Sequence, residues 1–191
     1  MIEQFLPQDW EQSDQHKRVY EHSKTVANAA KIIASNTTKL DANKAYVFGI
    51  MHDIGKFYLT QDKKYKHPRM GYDLLKDRYP EIAVICLTHP FPDFTSYEHI
   101  LHYSHDDEDE AQKVFGLLSH IEKNIYIELI QFCDKISRVS DYITWEEKLD
   151  WYLKTYDLDP DELVNQYSTH LLRIKQKLDN MTHTDVYKLL I

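Results

Sequence analysis

Residues that interrupt regular secondary structure are scarce in this sequence. Its 191 residues include 4 glycines and 6 prolines. A fold of many short strands needs turn residues at each reversal of the chain, whereas a few long helices need far fewer. Apolar residues also recur at steps of three and four, which is the period of an amphipathic helix. We therefore predict an all-α fold, a single-domain helical bundle.

The helical period and the capping residues predict where the helices lie. Predicted helices span residues 9–36, 42–52, 68–78, 81–89, 110–121, 123–139 and 144–156, and a last long helix starts within residues 159–162. Asp41 is the expected N-cap of the second helix, because its side chain can accept hydrogen bonds from free backbone N–H groups. We predict a loop over 58–66 and an irregular segment over 93–109. The acidic run 106–110 is interpreted as solvated charge at a helix start.

The charge balance limits the partners of this chain. Asp and Glu (31) outnumber Lys and Arg (23), which gives a formal net charge of −8 at pH 7. Proteins that bind the nucleic-acid backbone usually carry a basic surface, so this balance argues against nucleic acid as a partner. A small anionic molecule is compatible with it, because a bound metal ion can supply positive charge. The sequence leaves the oligomeric state open.

Cysteine positions and apolar run lengths indicate a cellular compartment. Cys86 and Cys133 each lie in an apolar run and are predicted to be buried free thiols, the usual state in a reducing cytoplasm. The first ten residues lack the basic start and apolar stretch of a signal peptide. No apolar run approaches the ~20 residues that a membrane helix needs. With no repeat and no linker, residues 1–191 are predicted to form one domain of a cytoplasmic protein with no membrane partner.

Several histidines and acids occupy positions that suit metal ligands. His22 lies within a predicted helix, His52-Asp53 closes another, and Asp134 lies in the apolar period of a third. A carboxylate buried without a partner is costly, and a divalent cation is the simplest partner for Asp134. Imidazole and carboxylate together suit Mn, Fe or Zn. Asp53 has two carboxylate oxygens and can bridge two metals.

The order His22, His52-Asp53, Asp134 resembles the HD superfamily of metal-dependent phosphohydrolases. The Met-His-Asp-Ile-Gly-Lys string at 51–56 is closely similar to that family's signature. The resemblance covers about residues 18–139. It implies a helical bundle of the HD-domain type, with a metal-binding core over about 16–140 and a C-terminal helical extension over about 141–191.

The resemblance also implies the ligands of one or two divalent metal ions. The first ion would be held by His22, His52, Asp53 and Asp134, and the second by His67 and His89 with Asp53 as the bridge. The two further histidines resemble those of dinuclear members, which include HD-GYP-type cyclic dinucleotide phosphodiesterases and symmetrical diadenosine tetraphosphate hydrolases. The Gly-Tyr-Pro stretch of the HD-GYP branch is absent after His89, which argues against that branch. Mn, Fe or Zn are favoured over Mg, Ni or Co.

The function implied is hydrolysis of a phosphate ester or phosphoanhydride, in a nucleotide or dinucleotide, by metal-activated water. Asp53, Lys56 and Arg18 are the candidate catalytic residues, and Lys56, Arg18 and Arg138 are the candidate substrate contacts. Arg18 precedes His22 by four residues, and Arg138 follows Asp134 by four, so each pair would share a helical face. Asp93 is a candidate proton carrier.

Two other functions fit the same pattern of residues. Some HD-fold relatives use the same six ligands to hold two irons and oxygenate a substrate, and residue spacing does not separate the two chemistries. A non-catalytic nucleotide sensor is the third reading, although a sensor has no need for the complete ligand set. Oxygen consumption, metal-supported phosphate release and nucleotide binding without turnover would distinguish these three functions.

Overall fold

A computed structural model describes residues 2–91, 94–156 and 168–190. Within these ranges the chain is all-α, as predicted, with ten α-helices, four short 3-10 helices and no β-strand. The α-helices are α1 (Asp14–Ser35), α2 (Ala42–Met51), α3 (His67–Leu75), α4 (Pro80–Thr88), α5 (Tyr97–Tyr103), α6 (Glu108–Leu118), α7 (Ile125–Ile136), α8 (Trp145–Tyr156), α9 (Thr169–Thr182) and α10 (Tyr187–Leu190). The 3-10 helices are Ile2–Phe5, Trp10–Gln12, Ile54–Tyr58 and Gln61–Lys66.

Capping side chains set the starts of the first two α-helices. Helix α1 begins later than predicted because Ser13 is extended and its side chain accepts a hydrogen bond from the His16 N–H at 3.3 Å. The predicted start of α2 is confirmed. The Asp41 carboxylate accepts the N–H groups of Asn43 and Lys44 at 2.8 and 3.0 Å, which satisfies two of the four free donors at a helix start.

Two segments predicted to be irregular contain helices. The predicted loop 58–66 includes the 3-10 helix Gln61–Lys66, and the predicted irregular segment 93–109 includes α5. Both predictions were wrong because the helices are short: the 3-10 helix has 6 residues, none of which is buried. Helix α5 has seven residues, of which Ile100 is buried, so the segment is too short to show an apolar period.

Several other helix bounds also differ from the predictions. Helix α3 ends at Leu75 rather than 78, where the Arg78 and Tyr79 N–H groups turn back to the Leu75 carbonyl. Helix α7 ends at Ile136 rather than 139. Helix α6 begins at 108 rather than 110. The predicted start of the last long helix, 159–162, and the candidate proton carrier Asp93 lie outside the described residues.

Helix α7 lies at the centre of the bundle and contacts α1, α2, α4, α8 and α9. Its core face buries Leu129, Ile130 and Phe132. Helices α1 and α2 approach closely because position 49 is glycine, where a Cβ would lie 2.5 Å from the Ala27 Cα. Apolar residues of α9 join the same core. This packing brings the inner faces of α1, α2 and α7 to one place.

Both cysteines, Cys86 and Cys133, are buried free thiols, as predicted. Burial raises the pKa of each thiol, so neither is a nucleophile at neutral pH. Among the helices that the structure describes, none is both long enough and apolar enough to cross a membrane.

Candidate metal centre

The six predicted metal ligands lie on five segments of the fold, and their side chains converge. Their positions are His22 within α1, His52 at the end of α2, Asp53 directly before the 3-10 helix Ile54–Tyr58, His67 at the start of α3, His89 at the end of α4 and Asp134 within α7. Four of the six therefore flank helix ends, where the backbone can turn and free carbonyl groups are available as acceptors.

One group of ligand atoms, the first cluster, consists of His22, His52, Asp53 and Asp134. The Asp134 Oδ1 lies 3.0 Å from His22 Nε2 and 3.6 Å from His52 Nε2. The Asp53 Oδ2 lies 3.4 Å from His52 Nε2 and 4.0 Å from His22 Nε2. Ligand atoms of His22, His52 and Asp134 all lie within 4.8 Å of one another, which is close enough for these atoms to share one cation.

The other group, the second cluster, consists of Asp53, His67 and His89. The Asp53 Oδ1 lies 3.2 Å from His67 Nε2 and 3.3 Å from His89 Nε2. The two imidazole Nε2 atoms are 3.1 Å apart. Asp53 therefore directs one oxygen to each cluster, which is the arrangement that a bridging carboxylate requires.

Backbone carbonyl groups orient all four imidazole rings in the same way. In each ring Nδ1 faces a carbonyl oxygen, and because that oxygen can only accept, Nδ1 carries the hydrogen and Nε2 faces the cluster. The bonds run from His22 to Arg138, from His52 to Gly49, from His67 to Lys64 and from His89 to Cys86, at 3.2, 2.7, 2.7 and 2.9 Å. Three of the four carbonyls belong to the residue three positions earlier.

Burial leaves several polar atoms of the centre without a matched partner. His52, Asp53, His67 and His89 are all buried. The His52 Nε2 and Asp53 Oδ1 atoms make no hydrogen bond among the residues that the structure describes. The facing Nε2 atoms of His67 and His89 present lone pairs to each other once each Nδ1 carries its hydrogen. Buried groups of this kind are costly unless paired, and a divalent cation would pair them.

The charged groups of the centre shift one another's pKa values. Burial alone would lower the pKa of His52, but the carboxylates of Asp53 and Asp134 outweigh burial and raise that pKa to about 9. Burial lowers the pKa of His89 to about 3 and also lowers the pKa of His67. Without a cation, these shifts favour the protonated form of His52 and the neutral forms of His67 and His89 at neutral pH.

Two lysines contact the carboxylates from outside the clusters. The Lys56 Nζ lies 2.6 Å from Asp53 Oδ2, and the Lys135 Nζ lies 3.1 Å from Asp134 Oδ2. Lys56 was predicted at the site, whereas Lys135 was missed. Lys135 directly follows Asp134, and neighbouring residues on a helix do not usually face each other. The sequence therefore gives no signal for this contact.

Gln131 is a second residue that sequence reasoning missed. Its amide nitrogen donates to the carbonyl oxygens of Thr88 and Phe91 at 3.0 and 2.7 Å, on either side of His89. Its amide oxygen lies 3.2 Å from the His170 Nε2 on α9. Gln131 is a polar residue within an apolar helical run, which is the same signal that singled out Asp134. It links the C-terminal helices to the segment that carries His89.

The two arginines predicted near the site occupy different surroundings. Arg18 is exposed on α1, about one turn before His22. Arg138 follows the end of α7, so the expectation that it shares a helical face with Asp134 was wrong. Its guanidinium lies 3.7 Å from the Asp141 carboxylate, and its carbonyl accepts the His22 ring hydrogen. A contact of either arginine with substrate stays a prediction.

A glycine allows the second cluster to form. A Cβ at Gly55 would lie 2.1 Å from the His67 carbonyl oxygen and 2.8 Å from the Gly71 nitrogen. The turn that follows Asp53 therefore touches the backbone of α3, and this contact sets the distance between Asp53 and His67. No side chain fits at position 55, which accounts for the glycine of the sequence signature.

Gly55→Ala is expected to lower the free energy of unfolding by about 1–3 kcal/mol, because overpacking forces the two backbones apart. It should also weaken cation binding, since His67 moves away from Asp53. Gly116→Ala is the matched control, because a Cβ there meets nothing within 4 Å and alanine favours a helix by up to about 1 kcal/mol. Denaturant unfolding and cation titration measure both effects. A Gly55→Ala variant with the unfolding curve and the cation affinity of wild type would show that this close backbone contact does not position His67.

Comparison with known proteins agrees with this arrangement. The family model for the HD domain matches residues 19–139, a span that contains all six converging side chains. No curated protein and no solved structure matches the chain. HD domains form a superfamily of metal-dependent hydrolases, generally phosphohydrolases, that bind divalent metals. Since the match covers more than half of the 191 residues, this chain belongs to the HD domain family.

Proposed function

We propose that this protein hydrolyses a phosphate ester or phosphoanhydride, in a nucleotide or dinucleotide, with the aid of two divalent cations. One observation carries the proposal: four imidazole Nε2 atoms and two carboxylates face one buried centre in which polar atoms lack partners. A structural ion-pair network would satisfy these atoms within the protein. A donor set of nitrogen and carboxylate oxygen suits Mn, Fe or Zn.

The proposed ligands follow from the two clusters. His22, His52 and Asp134 would hold the first cation, His67 and His89 would hold the second, and Asp53 would bridge them. When bound, such cations lower the pKa of a water molecule and neutralise developing charge on the phosphoryl oxygens. Asp53 is central in this proposal, because it is the one residue of the six with an oxygen within 3.5 Å of histidines in both clusters.

Lysines on two sides of the centre support a substrate with more than one phosphate. Lys56 and Lys64 lie on one side, where burial and then the charge of Lys56 lower the pKa of Lys64. Lys135 and Lys148 lie near Asp134, and burial lowers the pKa of Lys148. Once cations neutralise the carboxylates, the Lys56 and Lys135 ammonium groups can turn to phosphoryl oxygens. This local positive charge would attract an anion to a protein of net charge −8.

Arg18 and Arg138 are proposed as outer substrate contacts. The Arg18 side chain is exposed and begins one helical turn from His22. The Arg138 guanidinium is about half exposed and would leave Asp141 to reach a phosphate. Guanidinium groups suit this role because they bind phosphate oxygens in a bidentate manner.

The test of this function is a hydrolysis screen with defined metals. Metal-free protein is supplied with Mn²⁺, Fe²⁺ or Zn²⁺ and offered nucleotides, dinucleotides and generic phosphoesters. We expect metal-dependent release of phosphate or nucleotide. Oxygen consumption with a mixed-valent iron signal and no phosphate release would instead identify an oxygenase. Tight nucleotide binding without turnover would identify a sensor.

Lys56→Met is expected to lower kcat/KM about 10- to 100-fold, because a charge-assisted hydrogen bond contributes about 1.5–3 kcal/mol. The assay is run with saturating cation, so that altered cation affinity does not contribute. Lys63→Met is the control, since Lys63 is an exposed lysine on the adjacent 3-10 helix. Similar rates for the two variants would show that Lys56 does not contact the substrate.

A further inference from the structure

The acidic run 106–110, which spans the start of α6, contacts the segment that carries His67. Asp107 is the N-cap of α6, and its Oδ1 accepts the Glu110 N–H at 3.1 Å. Its Oδ2 accepts hydrogen bonds from Lys66 Nζ at 2.7 Å and from the Tyr65 hydroxyl at 3.0 Å. One carboxylate therefore starts α6 and also binds the two residues that directly precede His67.

Glu110 binds the same segment from the other side of His67. Its two oxygens accept hydrogen bonds from Arg69 Nε and Nη2 at 2.8 and 2.7 Å. This is the bidentate geometry in which guanidinium and carboxylate pair most strongly. The Glu110 side chain is 1% exposed, so the interpretation of 106–110 as solvated charge was wrong for this residue. Burial is possible because Arg69 pairs the charge.

The two residues before Asp107, His105 and Asp106, have an unfavourable backbone conformation. His105 and Asp106 have φ angles of 53° and 60°, in the left-handed region that costs energy for residues other than glycine. Such a conformation persists where the surroundings fix it. Here the His105 ring packs on Tyr65, with ring centroids 5.1 Å apart, and Asp107 binds Lys66. The loop is thus fixed against the His67 segment.

We infer that Asp107 and Glu110 are positioning residues that set the place of His67, and through it the affinity of the second cation. The inference rests on the proposed dinuclear centre. The His67 Nε2 must stay close to Asp53 and His89, yet the start of α3 has no side-chain cap of its own. Outer partners of this kind orient ligands and tune metal affinity.

The test is a titration of metal-free protein with Mn²⁺, monitored by calorimetry and by electron paramagnetic resonance. Wild type is expected to bind two ions. In Glu110→Gln and Asp107→Asn the second ion should bind about 10- to 100-fold more weakly, with the first unchanged. Arg69→Lys keeps the charge but loses the bidentate geometry, and should give the same selective loss.

Glu128→Gln provides the matched control. Glu128 is a buried acid on α7 that pairs with Lys177, and it lies about 9 Å of helix rise before Asp134. Its loss should leave both affinities unchanged. Circular dichroism checks that each variant folds, and Asp107→Asn is the milder change because the Asp107 side chain is 26% exposed.

Three results would overturn the inference, and they differ from one another. Two ions bound by Asp107→Asn and Glu110→Gln as tightly as by wild type would show that the acidic run does not position His67. Equal weakening at both sites would show general destabilisation instead of positioning. Fewer than two ions bound by wild type would overturn the dinuclear centre itself, and the inference with it.

Discussion

Asp53→Asn is expected to abolish hydrolysis, with kcat/KM falling by more than about 100-fold, since even outer partners of metal ligands contribute 10- to 100-fold. Asparagine keeps one oxygen and replaces the other by an amide that cannot bind a cation. Asp53 uses both oxygens, one toward His52 and the other toward His67. Whichever way the amide turns, one cluster loses its carboxylate ligand.

The assay for Asp53→Asn needs a second readout and a control. Metal content after dialysis should fall together with activity, while circular dichroism should show an intact helical fold. Asp62→Asn is the matched control, because Asp62 is an exposed acid on the nearby 3-10 helix Gln61–Lys66. An Asp53→Asn variant that keeps both its metal and its turnover would remove the basis of the proposed function.

Acid is expected to weaken cation binding at the first cluster about tenfold per pH unit between pH 8 and pH 6, because proton and cation compete for His52 Nε2. Burial opposes the imidazolium of His52, but the carboxylates of Asp53 and Asp134 raise its pKa to about 9. Below that value the metal-free site holds one proton that binding must release. Affinity should therefore rise with pH and level off near pH 9.

The second cluster should behave differently, which provides an internal comparison. Burial lowers the pKa of His89 to about 3 and lowers that of His67 below its ordinary value, so both rings favour the neutral form at neutral pH and release no proton on binding. Calorimetry in buffers of different ionisation enthalpy counts the protons released by each ion. One proton for the first ion and none for the second is the expected result. A first-site affinity that does not change between pH 6 and pH 8 would show that His52 is not a ligand.

The ligands were predicted from the order of His22, His52-Asp53 and Asp134 along the chain and from the resemblance of that order to the HD superfamily, which also implied His67 and His89. Asp134 interrupts an apolar helical run, and His52-Asp53 precedes a Gly-Lys pair at a helix end. The structure brings these residues together, although their function as ligands stays a prediction. The helical class of the fold followed from the scarcity of glycine and proline, and it is confirmed.

Contacts that depend on packing between distant segments could not be predicted. The Lys135 side chain contacts Asp134, although the side chains of adjacent helix residues usually point in different directions. Glu110 lies among other acidic residues, and nothing in the sequence sets it apart from them. Its burial depends on pairing with Arg69 of α3. The carbonyl groups that orient the imidazoles have no side-chain signature at all. The distinction between a solvated acid and a positioning acid is therefore a property of the tertiary structure.

The most direct test is a crystal structure of protein soaked in Mn²⁺, with an anomalous difference map. Two peaks are expected, one bound by His22, His52 and Asp134 and one bound by His67 and His89, with Asp53 between them. A map with no peak among these side chains would show that they do not bind metal, and the convergence of histidines and acids would then be a feature of the fold alone.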